Sequence, residues 1–187
     1  MPLSFSLTEQ DKEYLSRLSR QSIQSIFDKT SATPAPPDAA ENSPLAGNFG
    51  SFVTLSIKAR LRGCIGTIVG REPLYANVWR MARASAFEDR RFSPLTPNEW
   101  PNCEMHISVL DQLTPCPSPE AVEVGRHGLV LQYDGRSGVF LPQVPVEQGW
   151  DRTAYLEHLC LKAGLAPGTW LKPGARLYWY EAVVFPA

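Results

Sequence analysis

Apolar residues recur at helical spacing in several segments of the chain and predict three amphipathic helices. Thr8 followed by Asp11 resembles a capping box, so the first helix is predicted at 8–28. Pro73 stands where a first helical position is expected and predicts a second helix at 73–87. The remaining helical segments are a third helix at 152–163, after the cap residue Asp151, and a short turn after Thr96-Pro97-Asn98-Glu99.

Alternating apolar and polar positions predict the strands. The segment 52–57 has the period of a half-buried strand, and a second strand at 61–69 follows across a short connection. Asp134-Gly135 separates two apolar runs and is a strong hairpin signal. Because helices are separated by hairpins rather than by regular βαβ units, the sequence predicts an α+β fold with a mainly antiparallel sheet and flanking helices. The other predicted strands are 105–109, 129–133, 138–141 and 177–185.

Composition favours one globular domain over 1–187. A chain of 187 residues with 43% hydrophobic residues can bury a core without disulfides or a structural metal. Proline is unusually frequent, with 17 residues, and it concentrates in a stretch that has almost nothing to bury. We therefore predict a Pro/Ala-rich surface loop over 28–48.

Net charge and cysteine usage limit which partners and which cellular compartment the sequence predicts. The net charge of −1 argues against non-specific binding of polyanions by the whole surface. The amino terminus lacks the pattern of a signal peptide, and no apolar run approaches the roughly 18 residues that span a bilayer. The four cysteines have no CxxC spacing. These features predict a reduced protein of the cytoplasm.

The segment Leu61-Arg62-Gly63-Cys64-Ile65-Gly66 carries the candidate chemistry. In a regular strand Arg62 and Cys64 face the same side, and a nearby guanidinium favours the thiolate. Gly63 and Gly66 leave room for a ligand or another backbone to approach the sulfur. One interpretation is an accessible, activated thiol beside an anion-binding arginine in an open recess. The other is a buried, inert cysteine in a glycine-rich strand.

Charge distribution bears on the same segment. The window 58–91 contains eight basic and three acidic residues, so it carries +5 while the rest of the chain carries −6. A basic region around the cysteine suits a ligand with a phosphate or carboxylate group. The alternative is a solvated helix face with loop charges. No RNA- or DNA-binding signature turns this region into a nucleic-acid interface, although nucleic acid is not excluded.

His127 is the histidine best placed to act as a general base, because it lies between glycines just before a predicted strand. The alternative is a histidine that stabilises the turn. Cys103-x-x-His106 and His158-x-Cys160 have no usual zinc spacing, so we predict no metal site and no cofactor.

The hexapeptide at 61–66 and a series of further motifs resemble the AMMECR-type domain family, in particular its prokaryotic AmmeMemoRadiSam system protein A group. The resemblance runs in order over about 7–185 and is highly specific. The hairpin turn at 58–60 departs from it by lacking the usual glycine. The further motifs are Phe52-Val-Thr-Leu55, Ala86-Phe-Glu-Asp89, Arg91-Phe92, Pro94-Leu-Thr96, Ile107-Ser-Val-Leu110, Val124-Gly-Arg-His-Gly-Leu129, Leu141-Pro-Gln-Val144, Glu147-Gln-Gly-Trp150 and 158–165.

The resemblance implies an α+β domain built on an antiparallel sheet. It implies association with a Memo-type protein and a radical-SAM protein, and it suggests a role in nucleotide or RNA modification. A nucleotide therefore joins the anionic small molecule that the basic region favours as a candidate ligand. Carried over by position, Glu88 and Gln143 fall in family motifs, as do the residues at 62–66 and His127. We take Cys64, His127 and Glu88 as catalytic candidates and Arg62, Gly63, Gly66 and Gln143 as substrate-binding candidates.

Three hypotheses for function follow. The first is an enzyme, or an enzyme subunit, in which Cys64 is the nucleophile, Arg62 binds the anion, and His127 or Glu88 transfers protons. The second is a non-catalytic ligand-binding or adaptor module. The third makes the glycine-rich strand a tight crossing with no ligand.

Overall fold

The computed structural model describes residues 4–35, 37 and 43–187, and these form helices and antiparallel strands. The predicted α+β class is confirmed. The α-helices are α1 (Glu9–Phe27), α2 (Leu74–Phe87), α3 (Gln143–Glu147) and α4 (Arg152–Lys162). The strands are β1 (Gly50–Ile57), β2 (Arg60–Thr67), β3 (Glu104–Leu110), β4 (Thr114–Pro115), β5 (Gly128–Tyr133), β6 (Arg136–Phe140), β7 (Arg176–Tyr180) and β8 (Ala182–Pro186).

The chain divides into two compact units. The first comprises Met1–Leu110 with Val183–Ala187, and its sheet has the strand order β2-β1-β3-β8. The second comprises Asp111–Ala182, and its sheet has the order β4-β7-β5-β6. The single terminal strand predicted at 177–185 is therefore two strands that belong to different sheets. One domain over 1–187 stays a prediction.

A capping box begins α1, and small side chains on its buried face let the helix pack closely in the first unit. The capping box at its start is present, since Thr8 and Asp11 each accept a hydrogen bond from the other's backbone amide. Along the buried face, Ser22 donates its hydroxyl hydrogen to the carbonyl of Trp79 in α2 at 2.7 Å. A buried serine is tolerated there because its polar group has a partner. The core of this unit gathers large apolar residues from α1, α2, β1 and β3, among them Leu15, Ile23, Val53, Leu74 and Ile107.

Part of the predicted surface loop lies inside this core. Leu45 is buried, and residues 36 and 38–42 lie outside the described residues. The backbone amides of Leu74 and Tyr75 donate to the carbonyls of Gly47 and Leu45, at 2.8 and 3.2 Å. Since α2 has no side-chain cap, these loop carbonyls satisfy amides that a helix start leaves unpaired.

The second unit has its own core between its sheet and α4. Leu129 and Leu131 of β5 pack with Tyr155, Leu156 and Leu159 of α4. The predicted hairpin is present, with both Asp134 and Gly135 at positive φ between β5 and β6.

Candidate functional site

A β-bulge changes the environment predicted for Arg62. Leu55 of β1 pairs with Gly63, whereas the next residue, Ser56, pairs with Leu61, so Arg62 has no partner of its own in β1. A bulge bends the strand and re-aims the extra side chain, which breaks strict alternation at this residue. The same-side argument for Arg62 and Cys64 assumes a regular strand and therefore does not apply here.

The guanidinium of Arg62 lies in a two-pronged ion pair with Glu99. Its Nε donates to Oε1 at 2.9 Å and its Nη2 to Oε2 at 3.1 Å, and only 14% of the Arg62 side chain is exposed. Hydrogen bonds from Arg62, and then from Thr96, lower the pKa of Glu99 to about 2. The cation that the sequence assigned to an anionic ligand is thus already engaged by a carboxylate, and its role in substrate binding stays a prediction.

Cys64 is half-buried on β2, and its backbone is held on both sides. Its N–H donates to Oδ2 of Asp89 at 2.9 Å, and its carbonyl accepts from Nη2 of Arg91 at 3.2 Å. The sulfur lies 3.3 Å from the hydroxyl oxygen of Thr54, the residue paired with Cys64 across the hairpin. We call the arrangement of Asp89 and Arg91 on the Cys64 backbone the Cys64 clamp.

An ion pair holds the clamp together. Arg91 donates to Asp89 from Nη2 at 2.7 Å and from Nε at 2.9 Å. These hydrogen bonds hold the pKa of Asp89 well below its usual value; burial opposes the shift, and the N–H of Cys64 adds to it. The Asp89 side chain is only 4% exposed, whereas that of Arg91 is 56% exposed. The clamp therefore presents a solvent-accessible guanidinium next to Cys64.

The space beside the two glycines is filled by the protein itself. A Cβ atom on Gly63 would lie 2.1 Å from the carbonyl oxygen of Ser85, and one on Gly66 would lie 2.2 Å from the ring of Phe52. Of the two possibilities left open for Gly63, the close approach of another backbone is the one present. Substrate binding by Gly63 and Gly66 stays a prediction, and packing accounts for both.

Ser85 of α2 joins the two strands beneath this surface. Its buried hydroxyl donates to the carbonyl of Val53 at 2.6 Å and accepts from the N–H of Ile65 at 2.9 Å. A hydroxyl is suited to this position because it donates and accepts at once.

Glu88, the acidic candidate from the sequence, caps the carboxyl end of α2 and is exposed. The next residue, Asp89, is the buried carboxylate that contacts Cys64. Sequence reasoning missed Asp89, Arg91, Thr54 and Glu99 as parts of the site. One signal was present, because Asp89 and Arg91 stand in adjacent motifs of the family resemblance.

His127 belongs to the second unit and is buried there, with 3% of its surface exposed. Its Nδ1 accepts a hydrogen bond from the N–H of Glu123 at 3.0 Å, and its ring packs against Trp179 at 4.2 Å. Burial, followed by the charge of Arg126, lowers the pKa of His127, so the ring is neutral at pH 7. These contacts match the turn-stabilising alternative, and a role as general base stays a prediction.

Gln143 begins α3 in the second unit. Its side-chain oxygen is buried and has no hydrogen-bond partner, the one such side-chain atom found among the described residues. An unpaired buried acceptor is costly, and substrate binding by Gln143 stays a prediction.

Two features of the described part of the chain concern metal sites and membrane-spanning helices. Residues 4–35, 37 and 43–187 contain no group of three or more histidine, cysteine, aspartate or glutamate side chains placed to hold a metal ion. None of the helices described is both long enough and apolar enough to cross a membrane.

Comparisons with known proteins agree on one family. The family model AMMECR1 matches residues 16–185. Protein MK0488 of Methanopyrus kandleri is 38% identical over 188 residues, which cover 96% of this chain and 89% of that protein. Protein MJ0810 of Methanocaldococcus jannaschii is 41% identical over 144 residues, 73% of this chain and 72% of that protein. The crystal structure of protein PH0010 from Pyrococcus horikoshii superimposes with a TM-score of 0.87 at 35% identity, over 97% of this chain and 94% of that one.

Proposed function

We propose that this chain, which belongs to the AMMECR1 family, is an enzyme or enzyme subunit that uses the Cys64 thiol on an anionic substrate. The observation that carries the proposal is the Cys64 clamp. It fixes the strand on both sides of the sulfur while leaving Cys64 half-buried, and it places an exposed guanidinium beside it. Fixed position and a neighbouring cation are what an activated thiol requires.

The proposed step is nucleophilic substitution. The Cys64 thiolate forms a bond to an electrophilic centre of the substrate, and the leaving group departs with the electron pair of the bond that breaks. Arg62 and Arg91 are both paired with carboxylates, but the Arg91 side chain is 56% exposed and that of Arg62 only 14%, so Arg91 binds the anionic group. Asp89 is a poor proton acceptor because its pKa is held low, so the exposed Glu88 is the group proposed to take the thiol proton. His127 and Gln143 lie in the second unit, and the proposal does not depend on them.

The partners and the nucleotide-derived substrate are proposals that follow from the family resemblance alone, and the compartment is a proposal that follows from the cysteine pattern. The substrate would be nucleotide-derived, the protein would act in the cytoplasm, and a Memo-type protein and a radical-SAM protein would act with it. The competing function is an adaptor that docks these partners without catalysis. If a Cys64→Ser variant still complements a deletion strain, the adaptor is the correct function and the catalytic proposal is wrong.

Alkylation of the thiol tests the chemistry directly. Cys116 is the matched control, because it is the other half-buried cysteine and burial raises the pKa of its thiol. Iodoacetamide should modify Cys64 well below pH 8.5, the ordinary pKa of the thiol, and faster than Cys116, with the modified residue located by peptide mass spectrometry.

Two arginine variants then assign the activating charge. Arg91→Gln should move the pH profile of Cys64 alkylation upward by about one unit, whereas Arg62→Gln should leave it in place, since an opposite charge favours the thiolate only at close range. Alkylation of Cys64 no faster than that of Cys116 at every pH would remove the nucleophile from the proposal.

A further inference from the structure

A second basic site lies in the first unit, beyond the end of β2. A cleft with a volume of about 410 Å³ is lined by Thr67, Ile68, Val69, Arg71 and Arg80. Volumes of this size are typical of sites for small organic ligands. We call it the Arg71–Arg80 cleft.

The carboxylate of Glu72 orients Arg80 and is itself held by the buried side chain of Asn77. Its Nη2 and Nε donate to Oε1 of Glu72 at 2.5 and 2.9 Å, and the same oxygen accepts from the amide of Asn77 at 3.1 Å. Asn77 is only 1% exposed, and its oxygen accepts from the hydroxyl groups of Ser51 and Thr67. A buried polar network therefore fixes the position of an exposed guanidinium, which lowers the cost of binding a ligand there.

Arg71 supplies a second cation at the same cleft. It is exposed, and within the described residues it takes part in none of the ion pairs closer than 4 Å. Arg71, Glu72 and Arg80 together carry a net charge of +1. Guanidinium groups match the geometry of phosphate oxygens, and an excess of positive charge favours a dianion over a monoanion.

We propose that the Arg71–Arg80 cleft binds the phosphate group of a small organic phosphate. Arg71 and Arg80 contact the phosphate oxygens, and Ile68 and Val69 contact the organic part. The cleft is too large for inorganic phosphate alone, which is why the ligand carries an apolar portion. This site is distinct from the thiol chemistry proposed for Cys64 and does not require it.

Titration calorimetry at constant ionic strength tests the proposal, with phenyl phosphate and inorganic phosphate as the probes. Phenyl phosphate should bind more tightly than inorganic phosphate, because its ring gains contact with Ile68 and Val69. Arg71→Gln and Arg80→Gln should each weaken its binding by about tenfold, the order expected when a hydrogen bond to a charged group is lost. Amide NMR shifts on titration should concentrate at residues 67–71 and 80.

Two control variants make the outcomes decisive. Arg60→Gln removes the same charge from the exposed first residue of β2, at the opposite end of the strand, and should change the affinity by less than about twofold, because exposed charges more than a Debye length apart are screened. Cys64→Ser should bind phenyl phosphate as the unaltered chain does. The proposal is wrong if Arg60→Gln weakens binding as much as Arg71→Gln, or if no saturable binding occurs up to about 10 mM.

Discussion

Gly63 faces the backbone of α2, where a Cβ atom would lie 2.1 Å from the carbonyl oxygen of Ser85. No side-chain rotation relieves a clash with backbone, so a larger residue must push β2 away from α2. That movement would also stretch the hydrogen bonds that Ser85 makes to Val53 and Ile65. The absence of a side chain at this residue makes room for the backbone of a helix.

Gly63→Ala should therefore lower the free energy of unfolding by about 1–3 kcal/mol, the usual cost of overpacking a filled site. Urea unfolding followed by circular dichroism measures it. Leu61→Ala is the control on the same strand, because Leu61 is 45% exposed and its loss should change stability by about 0.5 kcal/mol or less. Equal stability of the two variants would mean that α2 does not press on β2 at Gly63.

Asp89 and Glu88 form a natural pair of tests, since they are adjacent carboxylates with opposite surroundings. Asp89→Asn removes the charge that binds Arg91 and should cost about 1.5–3 kcal/mol, the range for hydrogen bonds to charged groups. Glu88→Gln makes the same change in charge at an exposed position and should leave stability unchanged. The same urea titrations, run at pH 7, distinguish a structural clamp from a general effect of charge.

At the scale of elements, local signals predicted the structure well where one segment decides it. Capping residues located α1 and α4, and Asp134-Gly135 located the β5–β6 hairpin. The failures depend on partners distant in sequence. The bulge at Arg62 arises from the way β2 pairs with β1. The predicted last strand is interrupted at Glu181 because its two halves, β7 and β8, pair in different sheets. For the same reason the sequence identified Cys64 but not its contacts with Asp89 and Arg91.

The β1–β2 turn adopts a strained conformation for its residues. Lys58 and Ala59 both have positive φ, 51° and 58°, in a turn type that favours asparagine and glycine. Ala59→Gly should raise the free energy of unfolding by about 0.5–1 kcal/mol, because glycine has no Cβ to clash in the left-handed region. Ala76→Gly in α2 is the matched control and should lower stability by about 1 kcal/mol, the ordinary cost of glycine in a helix. Loss of stability in both variants would show that the turn is not strained.

At the scale of the whole molecule, buried or ion-paired ionisable groups in both units set the pH range of stability. In the first unit, Asp89 and Glu99 have folded pKa values below their unfolded ones. In the second, His127 also has a lowered pKa, whereas burial raises the pKa values of Tyr155 and Tyr180. Asp89, Glu99 and His127 bind protons more readily in the unfolded chain, so acid favours unfolding. Tyr155 and Tyr180 lose their protons more readily in the unfolded chain, so alkali also favours unfolding.

Burial also raises the pKa values of the Cys103 and Cys116 thiols. Stability should consequently be flat between about pH 6.5 and 8.5, the unfolded pKa values of histidine and cysteine. Below pH 6.5 it should fall as unfolded His127 is protonated, and it should fall more steeply from about pH 4.5 toward 2 as the carboxylates are protonated. Above about pH 8.5 it should fall as the unfolded thiols ionise, and above about pH 10 it should fall further as the unfolded tyrosines ionise. Urea unfolding over this pH series measures the profile.

Two substitutions assign the limbs of that profile to their residues. His127→Asn keeps an acceptor for the N–H of Glu123 but does not titrate, so the loss of stability between pH 6.5 and 5 should shrink, whatever its stability at pH 7. Tyr180→Phe should make the fall of stability above about pH 10 less steep. The carbonyl of Phe140 loses the hydroxyl of Tyr180 as a donor but keeps that of Tyr155. Because each test compares slopes rather than absolute stabilities, a variant that is merely less stable does not imitate the result. An unchanged acid slope in His127→Asn would mean that His127 gains its proton as easily in the folded protein as in the unfolded chain.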